Sequence, residues 1–172
     1  MMDIGILILS IFLAPVIPLF IYLVLNKRLS SYFVILSGLL ETACSFLLLR
    51  DYFLKEVYKK FTLIKVGEIE ILEVGYWLNN TSLLLLFVVS LISVLVRIYA
   101  FEYLKSDSRR DWFMVLLGFF TFSMYGIVLM PNLLAIFVFW EWVGLSSYLM
   151  VGFWNNKSKA AKAAQNTLLY NK

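Results

Sequence analysis

The sequence contains no histidine, a single cysteine and few charged residues. Without histidine the chain lacks the commonest metal ligand and the usual acid–base group near neutral pH. With Cys44 as its only cysteine, it has no internal disulfide framework and no thiolate metal cluster. These absences disfavour soluble-type metal or triad chemistry. The sequence also has no GxGxxG, P-loop or CxxC motif, so it shows no site for a nucleotide, a flavin or an iron–sulfur cluster.

The scarcity of charge is matched by an excess of apolar residues. Of the 172 residues, 62% are hydrophobic and 15% are charged, whereas a soluble domain is about half apolar and about a quarter charged. The excess is arranged in bilayer-length runs, which indicates an integral membrane protein. The net charge of +4 comes largely from short loops, where basic residues set orientation. No nucleic-acid partner is expected.

Five apolar runs are long enough to cross a bilayer as helices: residues 4–25, 32–49, 82–104, 113–130 and 133–152. The first is too long for a signal peptide and is interpreted as a retained helix. Pro15 and Pro18 predict a kink in it. Pro131 and Asn132 predict a tight turn between the last two spans.

Two further segments complete the predicted fold. Residues 158–172 are rich in alanine and begin like a helix capped by Ser158, but are too short to span. Residues 61–77 alternate partly between apolar and polar side chains, which favours a small surface β-hairpin with its turn at Gly67 and Glu68. We therefore predict an all-α membrane protein with five transmembrane helices, the start of a sixth, and a hairpin between helices two and three. Residues 1–81 hold the first two helices and the loop, and residues 82–172 hold the rest.

Loop charge predicts the orientation of the chain. The basic residues of three connections fall on one face: Lys27, Arg28, Lys105, Arg109, Arg110, Lys157, Lys159 and Lys162. Because such residues favour the inner side of a membrane, the N-terminus is placed outside and the sixth helix begins inside.

Glu141 lies near the middle of the fifth span, between Trp140 and Trp142. A carboxylate at this depth costs at least about 2.5 kcal/mol, and such residues commonly serve proton relays or ion pathways. The alternative is a protonated, structural carboxyl bonded to a neighbouring helix. Phe137, Gly144 and Tyr148 share its helical stripe, and the residues that could continue a water path are Ser146, Ser147 and Tyr148. A proton relay through Glu141 is the favoured hypothesis.

Two more ionisable residues fall inside spans. Glu41 is in span two, close to several hydroxyl side chains. It is either a second protonatable site or a neutral glutamate bonded to a neighbouring helix or facing a partner subunit. Arg97, in span three, is interpreted as reaching the headgroups or pairing with Glu102, because arginine stays charged and does not relay protons readily.

The run FVFWEWVGLSSYLMVGF, residues 137–153, resembles the signature of the antiporter-like subunits of respiratory complex I. It is most similar to the subunit 5 family, whose fifth helix carries W-E-x-V-G-L-x-S-Y-L-L-I-G-F. Residues 93–104 resemble that family's third helix, which ends in Tyr-Ser-x-x-Tyr-Met. Residues 160–172 resemble the start of its sixth helix, with Asn171-Lys172 where Asn-Arg is usual.

The resemblance implies the N-terminal part of a much longer proton-translocating subunit of NADH:ubiquinone oxidoreductase. Glu141 would then pair with a lysine from a later helix, and this chain would hold no metal or redox cofactor. NADH, FMN, iron–sulfur clusters and ubiquinone would bind to other subunits of the complex. Membrane lipids and the other membrane-arm subunits would be its partners. The implied location is the mitochondrial inner membrane, or the bacterial inner membrane in a prokaryote.

The sequence departs from the family pattern at three points. Asn79-Asn80-Thr81-Ser82 stands where the family often has Asp-Gly-Leu-Ser, which puts any role of that aspartate in doubt. Arg97 stands where a histidine is frequent. The chain also stops before the lysine-bearing broken seventh helix. We expect a split subunit, completed by a second polypeptide whose N-terminus abuts Lys172.

Two other functions stay open. A multi-subunit sodium/proton antiporter shares the same motif, and a structural remnant that only holds a complex together is the third possibility. The rich use of Phe, Tyr, Ile, Leu, Asn and Lys is typical of an AT-rich organellar genome and favours complex I. Retention of Glu141 argues against the remnant, because a relic helix could lose a costly buried charge.

Overall fold

A computed structural model shows five helical spans and a two-stranded β-hairpin, and describes residues 3–24, 27–66, 69–154 and 158–170. The elements in chain order are α1 Ile4–Leu13, α2 Ile17–Val24, α3 Lys27–Tyr52, β1 Val57–Val66, β2 Ile69–Leu78, α4 Asn80–Tyr103, α5 Arg110–Leu129, α6 Leu133–Val151 and α7 Ser158–Tyr170. Within the described ranges, the spans long and apolar enough to cross a membrane are Ile4–Val24, Leu29–Tyr52, Asn80–Tyr103, Arg110–Leu129 and Leu133–Trp154. The predicted helical membrane fold is therefore confirmed. The expected contact at Lys172 lies outside the described residues.

The first span is broken at its prolines. Helix α1 ends at Leu13, residues 14–16 form a turn, and α2 begins at Ile17. Proline has no N–H group to donate and its ring clashes with the preceding turn, so the helix cannot continue regularly. The turn lies against Gly118 of α5, where a Cβ would be 3.1 Å from the Pro15 carbonyl oxygen. The predicted kink is thus a complete break between α1 and α2, and the turn at this break packs against α5.

Asparagine caps begin two of the spans. The Asn79 side chain accepts from the Ser82 backbone N–H at 2.9 Å, and the Ser82 hydroxyl accepts from the Asn79 N–H at 2.8 Å. Helix α4 therefore starts at Asn80, slightly earlier than predicted. Asn132 caps α6 by accepting from the Leu134 N–H at 2.8 Å, as expected for the turn after Pro131. Because asparagine caps as well as aspartate does, the departure at Asn79 preserves this structural role.

The β-hairpin connects α3 to α4. Its antiparallel register runs from Val57 opposite Leu78 to Val66 opposite Ile69, so both strands extend beyond the predicted residues 61–77. The predicted turn at Gly67 and Glu68 lies outside the described residues. Strand β2 packs against α4, α5 and α6. The hairpin therefore lies at the same end of the bundle as the turn between α5 and α6.

The helices differ in how much of their surface the bundle covers. Helix α5 is central, because 56% of the residues in its apolar 18-residue stretch are buried. Helix α6 is peripheral, because the same share is 11%. One apolar cluster near the hairpin includes Leu7, Ile11, Leu48, Leu83, Leu86 and Leu129. A second, toward the other end, includes Val34, Ala100, Met114 and Leu117. A polar interface of α3, α4 and α5 lies between the two clusters.

Candidate functional site

Two mid-span carboxylates occupy different surroundings in the bundle. Glu41 lies on α3 in the polar interface with α4 and α5, and its side chain is fully buried. Glu141 lies on the peripheral helix α6 and is half-buried. Glu41 bonds to Arg97 and Tyr125, so the two predicted glutamates do not form one site.

Glu41 forms a two-point ion pair with Arg97 of α4. The Arg97 Nη1 donates to Glu41 Oε1 and the Nη2 donates to Oε2, each at 3.0 Å. Both side chains have no exposed surface. Parallel bonds of this kind are the strongest geometry for a carboxylate and a guanidinium. The pair balances its two charges inside the bundle, where an isolated charge would be very costly.

Further donors and acceptors surround the pair. The Tyr125 hydroxyl of α5 donates to Glu41 Oε2 at 2.9 Å. The Arg97 Nη1 also donates to the Val34 carbonyl oxygen at 3.0 Å and to the Ser37 hydroxyl at 3.1 Å. We call Glu41, Arg97, Tyr125 and Ser37 the buried ion-pair cluster. It ties α3, α4 and α5 together at one depth.

Gly38 makes room for the guanidinium. A Cβ at this position would lie 2.8 Å from the Arg97 Nη1 and 3.2 Å from its Cδ. Any larger residue would displace the arginine from Glu41, which lies one turn further along α3. The glycine is therefore required by close approach rather than by backbone conformation.

The sequence interpretation of Arg97 was wrong. Its side chain does not reach the headgroups and does not pair with Glu102, which instead accepts from Lys105 at 3.0 Å on the exposed surface. Sequence reasoning also missed Tyr125. Two opposite charges in neighbouring spans were the available signal, since embedded charges usually pair with one another.

Glu141 has no hydrogen bond or ion pair to any of the described residues. Its neighbour Trp140 is 56% exposed on the outer side of α6. Trp142 instead packs into an aromatic cluster between α1, α5 and α6, whose other members are Phe12, Phe119, Phe122 and Phe139. The carboxyl therefore lies at the boundary between the bundle and the uncovered side of α6.

The predicted water-path residues follow Glu141 along α6. Ser147 and Tyr148 are half-buried, and Gly144 is buried. The Ser146 hydroxyl is buried and donates to the Val143 carbonyl oxygen at 2.9 Å, within its own helix. Among the described residues, no side-chain hydrogen bond joins Ser147 or Tyr148 to Glu141. The structure thus places these residues on one helix after Glu141, and the water path stays a prediction.

Two family models match separate parts of the chain. Residues 64–114 match the N-terminus of chain 5 of NADH-ubiquinone oxidoreductase, complex I. Residues 130–172 match the membrane domain shared by NADH:quinone oxidoreductases and Mrp antiporters. The first match covers β2 and α4, and the second covers α6 with Glu141.

Curated relatives and a solved structure agree with these models. The chain is 45% identical over 101 residues to the chloroplastic NAD(P)H-quinone oxidoreductase subunit 5 of Nephroselmis olivacea, covering 59% of this chain and 16% of the relative. It is 43% identical over 101 residues to the chromatophore subunit 5 of Paulinella chromatophora, covering 59% and 15%. The chain thus spans about one sixth of these relatives.

Its fold matches a chain of the membrane-bound sulfane sulfur reductase, an archaeal respiratory membrane complex. The TM-score is 0.68 with 19% identity, over 96% of this chain and 32% of that one. At this identity the likeness concerns the fold. The family models and the relatives show that parts of this chain are similar to subunit 5 of complex I and to the related Mrp-type antiporter-like membrane subunits.

Proposed function

We propose that the chain contributes Glu141 to a proton-translocating membrane subunit of an NADH:quinone oxidoreductase. The proposal depends on one observation, the position and surroundings of the Glu141 carboxyl among the described residues. It lies mid-span and half-buried, with no partner, on a helix whose buried residues are Ala135, Gly144 and Ser146. An embedded charge of this kind requires a partner to be stable, so the uncovered side of α6 is where one would bind.

The partner group we propose is a lysine from a second polypeptide that supplies the remaining helices of the subunit. A cation beside a carboxyl favours its ionised form, and burial favours its protonated form. Movement of the lysine toward and away from Glu141 would therefore make the carboxyl release and take up a proton. Ser147 and Tyr148, which follow on the same helix, would extend the path for water.

Replacement of Glu141 by glutamine tests the proposal. Glu141→Gln keeps the size and removes the titration, so we expect an assembled complex that transfers electrons but translocates fewer protons per electron. Sealed membrane vesicles containing the complex give both rates together. Glu102→Gln is the matched control, because Glu102 is an exposed carboxylate on α4. An unchanged proton-to-electron ratio in Glu141→Gln would defeat the proposal.

A sodium/proton antiporter subunit is the second candidate, since the family model over residues 130–172 is shared with Mrp antiporters. Purification of the native complex separates the two. Co-purifying NADH-oxidising subunits with flavin and iron–sulfur clusters would support the oxidoreductase, in which this chain itself holds no redox cofactor. Sodium-dependent transport without those subunits would support the antiporter. An assembled complex whose proton transport does not depend on Glu141 would favour the structural remnant.

For Glu41 we propose a structural role rather than a second exchanging site, because Arg97 occupies both oxygens of its carboxylate. The mitochondrial inner membrane is the proposed location, because the resemblance to the subunit 5 family of respiratory complex I implies it. Because the relatives named above are chloroplastic and chromatophore proteins, fractionation of organelles is the test that decides it.

A further inference from the structure

The contact between Gly126 of α5 and Phe139 of α6 is closer than any residue other than glycine would permit. A Cβ on Gly126 would overlap the ring of Phe139 at three of its carbon atoms. The ring therefore lies directly against the α5 backbone. Gly126 has no unusual backbone conformation to explain its presence, since it lies inside a regular helix.

The ring of Phe139 has little freedom to move away. Its centroid lies 5.2 Å from that of Trp142, 5.6 Å from that of Phe122 and 6.4 Å from that of Phe12. These neighbours come from α6 itself, from α5 and from α1. Because added volume in a packed contact forces side chains off their rotamers and shifts the backbone, a methyl group on Gly126 would push the Phe139 ring and, with it, α6.

The α5 side of this contact is held in place. The residue before Gly126 is Tyr125, whose hydroxyl donates to Glu41 of the buried ion-pair cluster. The α6 side has few other buried positions, which are Ala135, Gly144 and Ser146. The position of α6 along the bundle thus depends strongly on where Phe139 meets α5.

We propose that Gly126 and Phe139 are positioning residues that set the place of Glu141. Phe139 precedes Glu141 by two residues, within the same helical turn, so a shift of the ring moves the carboxyl. Neither residue touches the proton itself. The inference rests on the proposed function, because the place of Glu141 affects transport only if this carboxyl exchanges protons with a partner group.

A pair of compensating substitutions tests the contact in the native complex. Gly126→Ala is expected to slow proton translocation by roughly tenfold or more, since a misplacement of about 1 Å can cost ~100-fold in rate. Its pH profile should shift as well, because the surroundings of Glu141 have changed. Adding Phe139→Leu to Gly126→Ala removes the overlap and should restore most of the rate and the original profile. Gly5→Ala, whose Cβ would lie 3.6 Å from its nearest neighbour, is the control.

The outcomes separate this inference from the function it rests on. If Glu141→Gln lowers the proton-to-electron ratio while Gly126→Ala behaves as wild type, the positioning role is wrong and the proposed function stands. If Glu141→Gln translocates normally, the proposed function itself fails. If the double variant does not recover the rate of proton translocation, then overlap with the Phe139 ring is not the cause of the Gly126→Ala effect. Should Gly126→Ala fail to assemble, Phe139→Leu alone gives the readout, and an unchanged rate and pH profile in it would overturn the inference.

Discussion

Glu41 and Glu141 are the same chemical group at similar depth in two spans, yet their surroundings and their hydrogen-bond partners differ. Glu41 is enclosed by three helices and receives donors from Arg97 and Tyr125. Glu141 lies on the least covered helix and has no partner among the residues that the structure describes. The first is a polar contact whose opposite charges both come from this chain, although the Arg97 Nε is buried without a hydrogen-bond partner among the described residues. The second needs a group from elsewhere.

The difference follows from the position of the helices that carry them. Helix α3 packs against α4 and α5, so its interior face meets opposite charge and hydroxyl groups. Helix α6 packs on one side against α5 and α7 and leaves large apolar side chains such as Phe137 and Trp140 exposed. Depth in the membrane therefore does not by itself decide whether an embedded carboxylate serves stability or chemistry.

The largest expected effect comes from breaking the Glu41–Arg97 pair. Glu41→Leu or Arg97→Leu alone leaves one uncompensated buried charge and should cost about 3–5 kcal/mol of stability. The double variant removes both charges and should regain most of that loss. Thermal unfolding in membranes and the amount of assembled complex are the measurements. Glu141→Leu is the counterpart and should cost less than about 1 kcal/mol. Equal losses at the two glutamates would contradict the comparison.

A smaller effect is expected from the tyrosine of the buried ion-pair cluster. Tyr125→Phe removes only the hydroxyl that donates to Glu41 Oε2, and a bond to a charged group contributes about 1.5–3 kcal/mol. Combining it with the Glu41→Leu and Arg97→Leu changes forms a thermodynamic cycle. In that charge-free background Tyr125→Phe should cost less than in the wild type. The same cost in both backgrounds would show that the hydroxyl acts elsewhere.

The smallest expected effect on stability comes from a third carboxylate, Asp107, which lies outside the membrane spans. Asp107 accepts from the Arg109 backbone N–H at 2.8 Å and from the Trp154 indole at 3.0 Å. These bonds favour the charged form and hold the pKa of Asp107 below its usual value. Its contribution is therefore present at neutral pH and is lost as the pH falls through this lowered pKa. Asp107→Asn should cost less than about 1 kcal/mol.

The measurement for Asp107 is thermal stability against pH in the wild type and in Asp107→Asn. The two curves should differ at neutral pH and converge in acid, as the wild-type carboxylate becomes protonated. Curves that stay parallel down to about pH 3 would show that the bonds to Arg109 and Trp154 do not depend on the charge.

The spans, the break at Pro15, the hairpin and the capped turn at Asn132 could be predicted because each depends on local chemistry. Bilayer length sets the helices, and proline and asparagine act within a few residues of their own position. Helix α4 begins before the predicted apolar run, because the reciprocal cap between Asn79 and Ser82 makes the polar residues Asn80 and Thr81 part of the helix.

The Glu41–Arg97 pair could not be predicted in the same way. Counted from the hairpin end, Arg97 lies about six residues deeper than Glu41, or roughly 9 Å along the helix axis. Helical side chains lean toward the N-terminus of their own helix, so in antiparallel neighbours these two lean toward each other. The long arginine side chain and the space above Gly38 close the remaining gap. In the sequence, Glu102 is much closer to Arg97 than Glu41 is, so spacing alone favours the wrong partner.

The sequence by itself determined that this chain spans a membrane five times and carries Glu141 mid-span in a recognisable motif. The length of each hydrophobic run and the order of residues in the motif are properties of contiguous residues, so they do not depend on contacts with other segments. Only the tertiary structure decided which charge meets Arg97, why Gly38 and Gly126 are glycines, and which face of α6 stays open. Those outcomes depend on the stagger and rotation of packed helices, which are set by contacts between residues far apart in the sequence.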